Sequence, residues 1–440
     1  MRHPIYFILW IVLLHVGSVS GIPSALAASA PMDSAEESLS VFDCVRRAES
    51  SDPVALSVRA QRLGAQAVVE QARALPNPSV SYLAQDLGLQ GSTGPLLLQQ
   101  VTAGFSPFAA LLRVQESRAA CASQRQTQAA IAVDLLRLRE TVGRAFYELQ
   151  LLEKLWRLEL DSVRLSEQLV AESQTRKRHG DASGLDVLRA ESEREESARL
   201  AEHSAHTLAM AQRAFALLIG ESSPKPLLLA QEDPSWLTQL PIPIADALSQ
   251  VQKDDVSAQC AVLLELALSK RPERAWALEE LHQSEVLSKL ATLRALPLSD
   301  IQVSGGIRSS MAGVGGIVAI TGSLPILDWN QGLRHRAQAQ GVRAQARLAE
   351  VRQQIQIEVE SSLRDFYHVR ALRLQRAQPL HERRARALDL TRKLFAEGLA
   401  SFGDVVMASR DLFSARRTLL QLERDALVAR WRLAVAVAPW

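Results

Sequence analysis

The stretch Gly180-Asp181-Ala182-Ser183-Gly184-Leu185-Asp186-Val187 returns as Gly398-Leu399-Ala400-Ser401-Phe402-Gly403-Asp404-Val405, and its reading decides the fold. Each copy sets a glycine and a Ser-x-x-Asp-Val run between two long helical patterns. Glycine supplies the backbone conformation that a sharp helical reversal needs, so each copy reads as the tip of a helical hairpin. Working outward, Pro53 answers to Pro272, and Ala74-Leu75-Pro76 answers to Ala295-Leu296-Pro297. Phe146-Tyr147 returns as Phe366-Tyr367. The landmarks keep their order at a shift of roughly 219 residues. That is a tandem duplication, not the 20–50-residue period of a solenoid.

From Ala109 to about Arg178 there is no proline and a single glycine, Gly143. Val142, Phe146, Leu149, Leu152, Trp156, Leu160 and Val163 recur at spacings of three and four, the mark of a helix face. About 70 residues at 1.5 Å each make a rod of roughly 105 Å, a length that calls for coiled-coil packing. A return helix spans Leu185 to Leu218 and stops at Gly220. Ahead of the rod come helices from Leu39 to Glu49 and from Asp52-Pro53 to Leu75, then strands Ser79–Asp86 and Leu96–Ser106 around a loop at 88–95. The second copy repeats the plan, with helices Ile244–Leu268 and Glu273–Leu296. Strands Ser299–Ser309 and Val314–Leu324 follow, then a rod from Gln331 to Ala396 and a return from Phe402 to Val437. Pro379 lies inside this second rod, where an interior proline removes a hydrogen bond and kinks the helix.

The organisation is a signal peptide at 1–27, a first repeat at 28–220, a Pro-rich linker at 221–243 and a second repeat at 244–440. Arg2 and His3 precede an apolar run from Ile5 to Val19, and Ala25-Leu26-Ala27 offers a cleavage site. The first cysteine is Cys44, so no lipidated cysteine stands at that site. With 50 basic and 48 acidic residues, the net charge of +2 argues against a nucleic-acid partner. Cys44, Cys121 and Cys260 form no C-x-x-C pair. A Cys44–Cys260 disulfide is one reading, and free buried thiols are the other.

Each copy thus gives two strands of about ten residues, the length that a tilted membrane strand needs. Four strands cannot close a barrel, and an open edge is not allowed in lipid. Three copies would supply twelve strands, within the range of membrane barrels. Ile301, Val303, Gly305 and Ile307 oppose Gln302, Ser304, Gly306 and Arg308, an outside/inside split, whereas Leu96-Leu97-Leu98 breaks the alternation. A soluble β-hairpin capping a coiled coil stays open as the alternative.

Over nearly the whole chain after residue 27, these residues resemble the TolC-type outer-membrane efflux proteins. The matching marks are Asp52-Pro53, Arg271-Pro272, Ala74-Leu75-Pro76-Asn77-Pro78, the run Leu324 to Gly332 and the two Gly-x(5)-Asp-Val tips. The run Pro325-Ile326-Leu327-Asp328-Trp329-Asn330-Gln331-Gly332 and Pro379 are most similar to the CzcC-like heavy-metal branch. The resemblance implies a mainly α fold of duplicated coiled-coil hairpins forming a periplasmic α-barrel, and a homotrimer with a 12-stranded outer-membrane β-barrel. It implies a passive conduit, not an enzyme and without a cofactor, that works with a periplasmic adaptor and an inner-membrane pump of the resistance-nodulation-division type. A drug-efflux channel, a type I protein-secretion conduit and a pore-less periplasmic scaffold are the competing readings.

The resemblance places the entrance gate at Asp404, with Met407 at the family's second acidic position and Arg189 at the matching place in the first copy. Asp404 capping the return helix is the structural alternative, compatible with a gate. The tips His179, Gly180, Asp181, Asp186, Glu397, Gly398 and Leu399 are expected to face the adaptor. His203 and His206 share one helix face beside Glu202, a spacing able to bind metal but more simply solvated. The acidic run Glu191–Glu196 and the basic run His381–Arg386 read as solvated faces of coiled coils. Trp440 stands where a barrel-assembly signal would, but it follows a helix and not a final strand, so no meaning attaches to it.

Overall fold

The computed structural model describes residues 38–85, 98–180, 182–221, 229–230, 241–248, 256–294, 301–310, 313–322 and 329–437, which lie in one compact unit. The signal segment, the loop at 88–95, Asp181, most of the linker, residues 323–328 and Trp440 fall outside the described residues.

Helix α1 (Val41–Ser50) opens on a capping box in which Ser40 and Asp43 satisfy each other's backbone N–H groups. Helix α2 (Asp52–Arg73) begins with Pro53 in its first turn, where the missing N–H costs nothing. Strands β1 (Ser79–Gln85) and β2 (Leu98–Phe105) lead to α3 (Ala109–His179), a single helix of 71 residues. Helix α4 (Gly184–Leu218) returns alongside it.

The second half begins differently from the expected continuous helix over Ile244–Leu268. It forms a short α5 (Ile242–Ala247), ended by a cap at Leu248, and a separate α6 (Val256–Lys270). Helix α7 (Pro272–Arg294) precedes β3 (Gln302–Ser310) and β4 (Gly313–Thr321). The second rod is not continuous. Helix α8 (Gln331–Leu372) passes through a π-helical turn, Arg373–Ala377, into α9 (Gln378–Ala396). Pro379 sits just past this turn and cannot donate to Gln375, so the widened turn absorbs the lost bond. Within the turn the Gln378 N–H donates to the Arg373 carbonyl, five residues back. Helix α10 (Phe402–Val437) closes the fold.

The four strands form one antiparallel sheet in the order β1-β2-β3-β4, so strands of both halves pair at β2 and β3. Gly306 is required there. A Cβ at this position would lie 1.9 Å from the Val101 carbonyl oxygen across the ladder.

The core is shared between the halves. Phe146, Tyr147 and Phe215 of the first half surround Trp431 and Val435 of α10. Ala429, Leu433 and Val437 of the same helix pack instead on Ile355, Leu363 and Phe366 of α8. Helix α10 is therefore buried on opposite sides by two clusters, and neither half buries its faces alone. Cys44 lies in the first cluster and Cys260 beside the second. Both are free thiols, as is Cys121, so no Cys44–Cys260 bond forms. Cys260 and Cys121 are only half-buried, short of the fully buried thiols expected. Burial pushes the Cys44 thiol up to about 12.

Candidate functional site

Two regions carry features that a soluble helical protein does not need. The first is the sheet. Its register puts Val80, Ala103, Gly305 and Val318 in one row and Tyr82, Val101, Ile307 and Gly316 in the next, all on one face. Val80, Val314, Val318 and Ile320 are between 73% and 77% exposed, and Phe105 and Ile307 are 63% exposed. The opposite face carries Ser79, Ser81, Gln100, Thr102, Ser304 and Arg308, and the Ser81 and Thr102 hydroxyls meet at 2.6 Å. Of the run Leu96-Leu97-Leu98, expected to break the alternation, Leu98 takes a buried place on that same polar face, and the other two fall outside the described residues. Among the described residues β1 and β4 each pair on one side only, leaving two open edges.

The second region is the pair of hairpin tips. Gly180 takes φ +85 and Gly398 takes φ +77, the left-handed conformation that lets each chain reverse. After each glycine the Ser-x-x-Asp pattern forms a capping box. Asp186 N–H donates to Ser183 Oγ at 3.2 Å, while Asp186 Oδ2 accepts from the Ser183 N–H at 3.1 Å and from its hydroxyl at 2.8 Å. Asp404 repeats the arrangement on Ser401, with 3.3 Å, 2.9 Å and 2.7 Å for the same three bonds. The serine hydroxyl and then the serine N–H hold both carboxyls below the usual carboxylate range. Ser401, not Asp404, is therefore the capping residue, and Asp404 is the reciprocal arm three positions on.

The tips are tied to each other. The Arg176 guanidinium lies 3.8 Å over the Phe395 ring and donates to the Phe395 carbonyl at 2.6 Å, capping the end of α9 from the other hairpin. Phe395, Phe402 and Val405 pack beneath on Leu169, Val170 and Ala190. Further up, Arg410 pairs with Glu193 and Arg417 with the buried Glu159. His179, Gly180, Glu397, Gly398 and Leu399 are exposed at the two ends, and Asp186 is half-buried. Met407 is 69% exposed, one turn along α10 from Asp404. His203 and His206 are exposed on α4, and the described residues hold no cluster of three metal-ligating side chains.

The capping serines could have been read from the S-x-x-D pattern. The cross-hairpin pairs, with partners more than 200 residues apart, have no local signal. Below Leu149 the expected apolar stripe also departs from its reading. Glu159, Ser166 and Ser173 turn inward, while Trp156, Leu160 and Val163 stay half-buried.

Residues 267–438 match the family model described as outer membrane efflux protein. The chain as a whole has the TolC-type channel fold. The outer membrane protein VceC from Vibrio cholerae is 17% identical with a TM-score of 0.70, covering 90% of this chain and 95% of that one. CusC is 17% identical with a TM-score of 0.74, covering 94% and 96%. The open state of the MtrE outer membrane channel of Neisseria gonorrhoeae is 18% identical with a TM-score of 0.68, covering 90% and 88%. No curated protein matches the chain by sequence. In the outer membrane efflux fold the second hairpin and its strands fall inside the matched residues, while the first copy is assigned through the fold.

Proposed function

We propose that this chain is the outer-membrane channel of a tripartite efflux system, a passive conduit that assembles as a homotrimer. The apolar, largely exposed face of the β1–β4 sheet carries the reading. At about 25 cal/mol per Å² a patch of large apolar side chains is costly in water and costs nothing in lipid. The polar face behind it suits a water-filled lumen, and three copies joined at the open edges give twelve strands with no edge left. No helix among the described residues is long and apolar enough to cross a membrane.

In this reading the tips face a periplasmic adaptor, and an inner-membrane proton-driven pump supplies the energy. Asp404 and Met407 form the gate, their exposure on the free side of α10 supporting a position near the axis. Three Asp404 carboxylates there would favour cations. The CzcC-like marks favour heavy-metal cations as the exported class. The two-repeat division at 28–220 and 244–440 and the export signal at 1–27 belong to the same proposal.

Membrane fractionation followed by single-channel recording tests the reading. A detergent-extracted trimer that conducts supports it. A chain that stays monomeric and water-soluble without detergent overturns it. Deleting the gene and scoring metal sensitivity, drug sensitivity and loss of a secreted protein separates the substrate classes.

A further inference from the structure

Between Gln331 and Ala396 the second rod carries 14 basic and 6 acidic side chains in a chain whose net charge is only +2. The rest of the chain is therefore net acidic. The excess is organised. Ala377, Leu388 and Phe395 turn inward, and the opposite side shows Leu372, Arg376, Arg383, Arg386, Leu390 and Leu394, all exposed. Among the described residues Arg376, Arg383 and Arg386 make no ion pair.

The other flank of the molecule carries the complement. Helices α3 and α4 leave a groove of about 600 Å³ between them, floored by Trp156, Leu160, Val163, Ala201 and Ala205. Its rim holds Glu195, Arg199 and Glu202, with the Arg199 guanidinium already paired to Glu196. Glu202 has no ion pair among the described residues, and Glu195 pairs only with its exposed neighbour Arg194, a weak contact. The apolar stripe read from the sequence ends in this groove and stays half-buried there.

We propose that the Leu/Arg stripe of α8–α9 seats in the α3–α4 groove of a second copy of this chain, pairing Arg376 with Glu202 and Arg383 with Glu195. This rests on the trimeric channel reading and names the surface that closes the ring. A ring needs two different flanks that fit head to tail, and these two pair apolar residues with apolar residues and unpaired arginines with glutamates. Rotation about an axis along the rods keeps height, so partners must stand level. Glu202 lies 22 residues from Gly180, and Arg376 lies 22 from Gly398, about 33 Å above the tips. Glu195 and Arg383 each lie 15 residues from those glycines. Equal height already governs contacts inside the chain, where Glu193 and Arg410 stand 13 and 12 residues from their tip glycines.

Cross-linking tests this in the full chain with Cys44→Ala, Cys121→Ser and Cys260→Ser. Adding Glu202→Cys and Arg376→Cys should give covalent dimers and trimers on oxidation, while Glu202→Cys with Arg343→Cys, far above, should give none. Arg376→Glu should lower the trimer association constant about tenfold, from three pairs of modest strength. Adding Glu202→Arg should restore it. A conducting trimer that neither cross-links nor responds to the charge exchange overturns the proposal and leaves the channel reading standing. Cross-links from the Glu202→Cys variant to a different protein overturn it as well. A chain that never forms trimers in membranes overturns both.

Discussion

Gly143→Ala separates local propensity from tertiary packing, because the two give opposite signs. Gly143 lies inside the 71-residue α3, and helix propensity alone says that alanine stabilises by about 0.5–1 kcal/mol. The structure says otherwise. A Cβ there would lie 2.1 Å from Trp431 Nε1 and 2.2 Å from its Cε2. The Trp431 ring is 4% exposed in the first cluster, and its Nε1–H donates to the Arg139 carbonyl at 3.2 Å. It cannot swing away without breaking that bond and its packing on Tyr147. Overpacking costs about 1–3 kcal/mol and a lost buried hydrogen bond about 1 kcal/mol more. Against a propensity gain of about 1 kcal/mol, the net is destabilisation by about 1–3 kcal/mol. Gly341→Ala in α8 is the internal control, since its nearest atom beyond the local chain is Ser284 Oγ at 3.9 Å. It should stabilise by about 0.5–1 kcal/mol. Both substitutions are read by thermal unfolding of the purified protein, where a unit of this size shifts by about 1 °C per kcal/mol. The midpoint should fall for Gly143→Ala and rise for Gly341→Ala. A rise for both would refute the packing of α10 against α3.

Ile307→Lys, on the apolar sheet face, should cost about 2–4 kcal/mol per chain in the membrane and strip the protein from the outer-membrane fraction. Gln302→Lys on the polar face of the same strand should leave fractionation unchanged, and equal effects would count against the lipid assignment. Asp186 and Asp404 have lowered folded pKa values, so their capping stability is full above the unfolded value of 3.8 and is lost as pH falls through the lower folded value. Amide exchange at the tips should quicken in that acid window, and Asp404→Asn should remove the α10 share of the change; an unaltered profile argues against the box. Pro379→Ala should lower efflux without preventing trimer assembly, by letting the π-helical turn at Arg373–Ala377 relax to a regular helix; normal resistance in that variant would end the hinge idea.

Much of the plan was legible in the chain. The repeated tip glycines, the long spans without breakers and the alternation of β3 located the helices and strands within a few residues. These signals are local: a glycine in the left-handed region and a three-and-four spacing act through neighbours in sequence. The break between α5 and α6 was not legible, since no proline or glycine interrupts Ile244–Leu268 to mark the end at Leu248. Nor was the inward turn of Glu159 and Ser166, because a buried glutamate is placed only by its arginine, Arg417, 258 residues away.

By itself, then, the sequence determined that this protein is a duplicated set of long helical hairpins with short amphipathic strands, because periodicity and backbone conformation are properties of adjacent residues. Only the tertiary structure decided how the halves share one core. Helix α10 is buried on two sides at once, Arg176 reaches across to close the end of α9, and β2 and β3 join strands of both halves. Those choices depend on which surfaces meet in space. Packing and long-range charge pairing set them, and neither leaves a mark within a single stretch of chain.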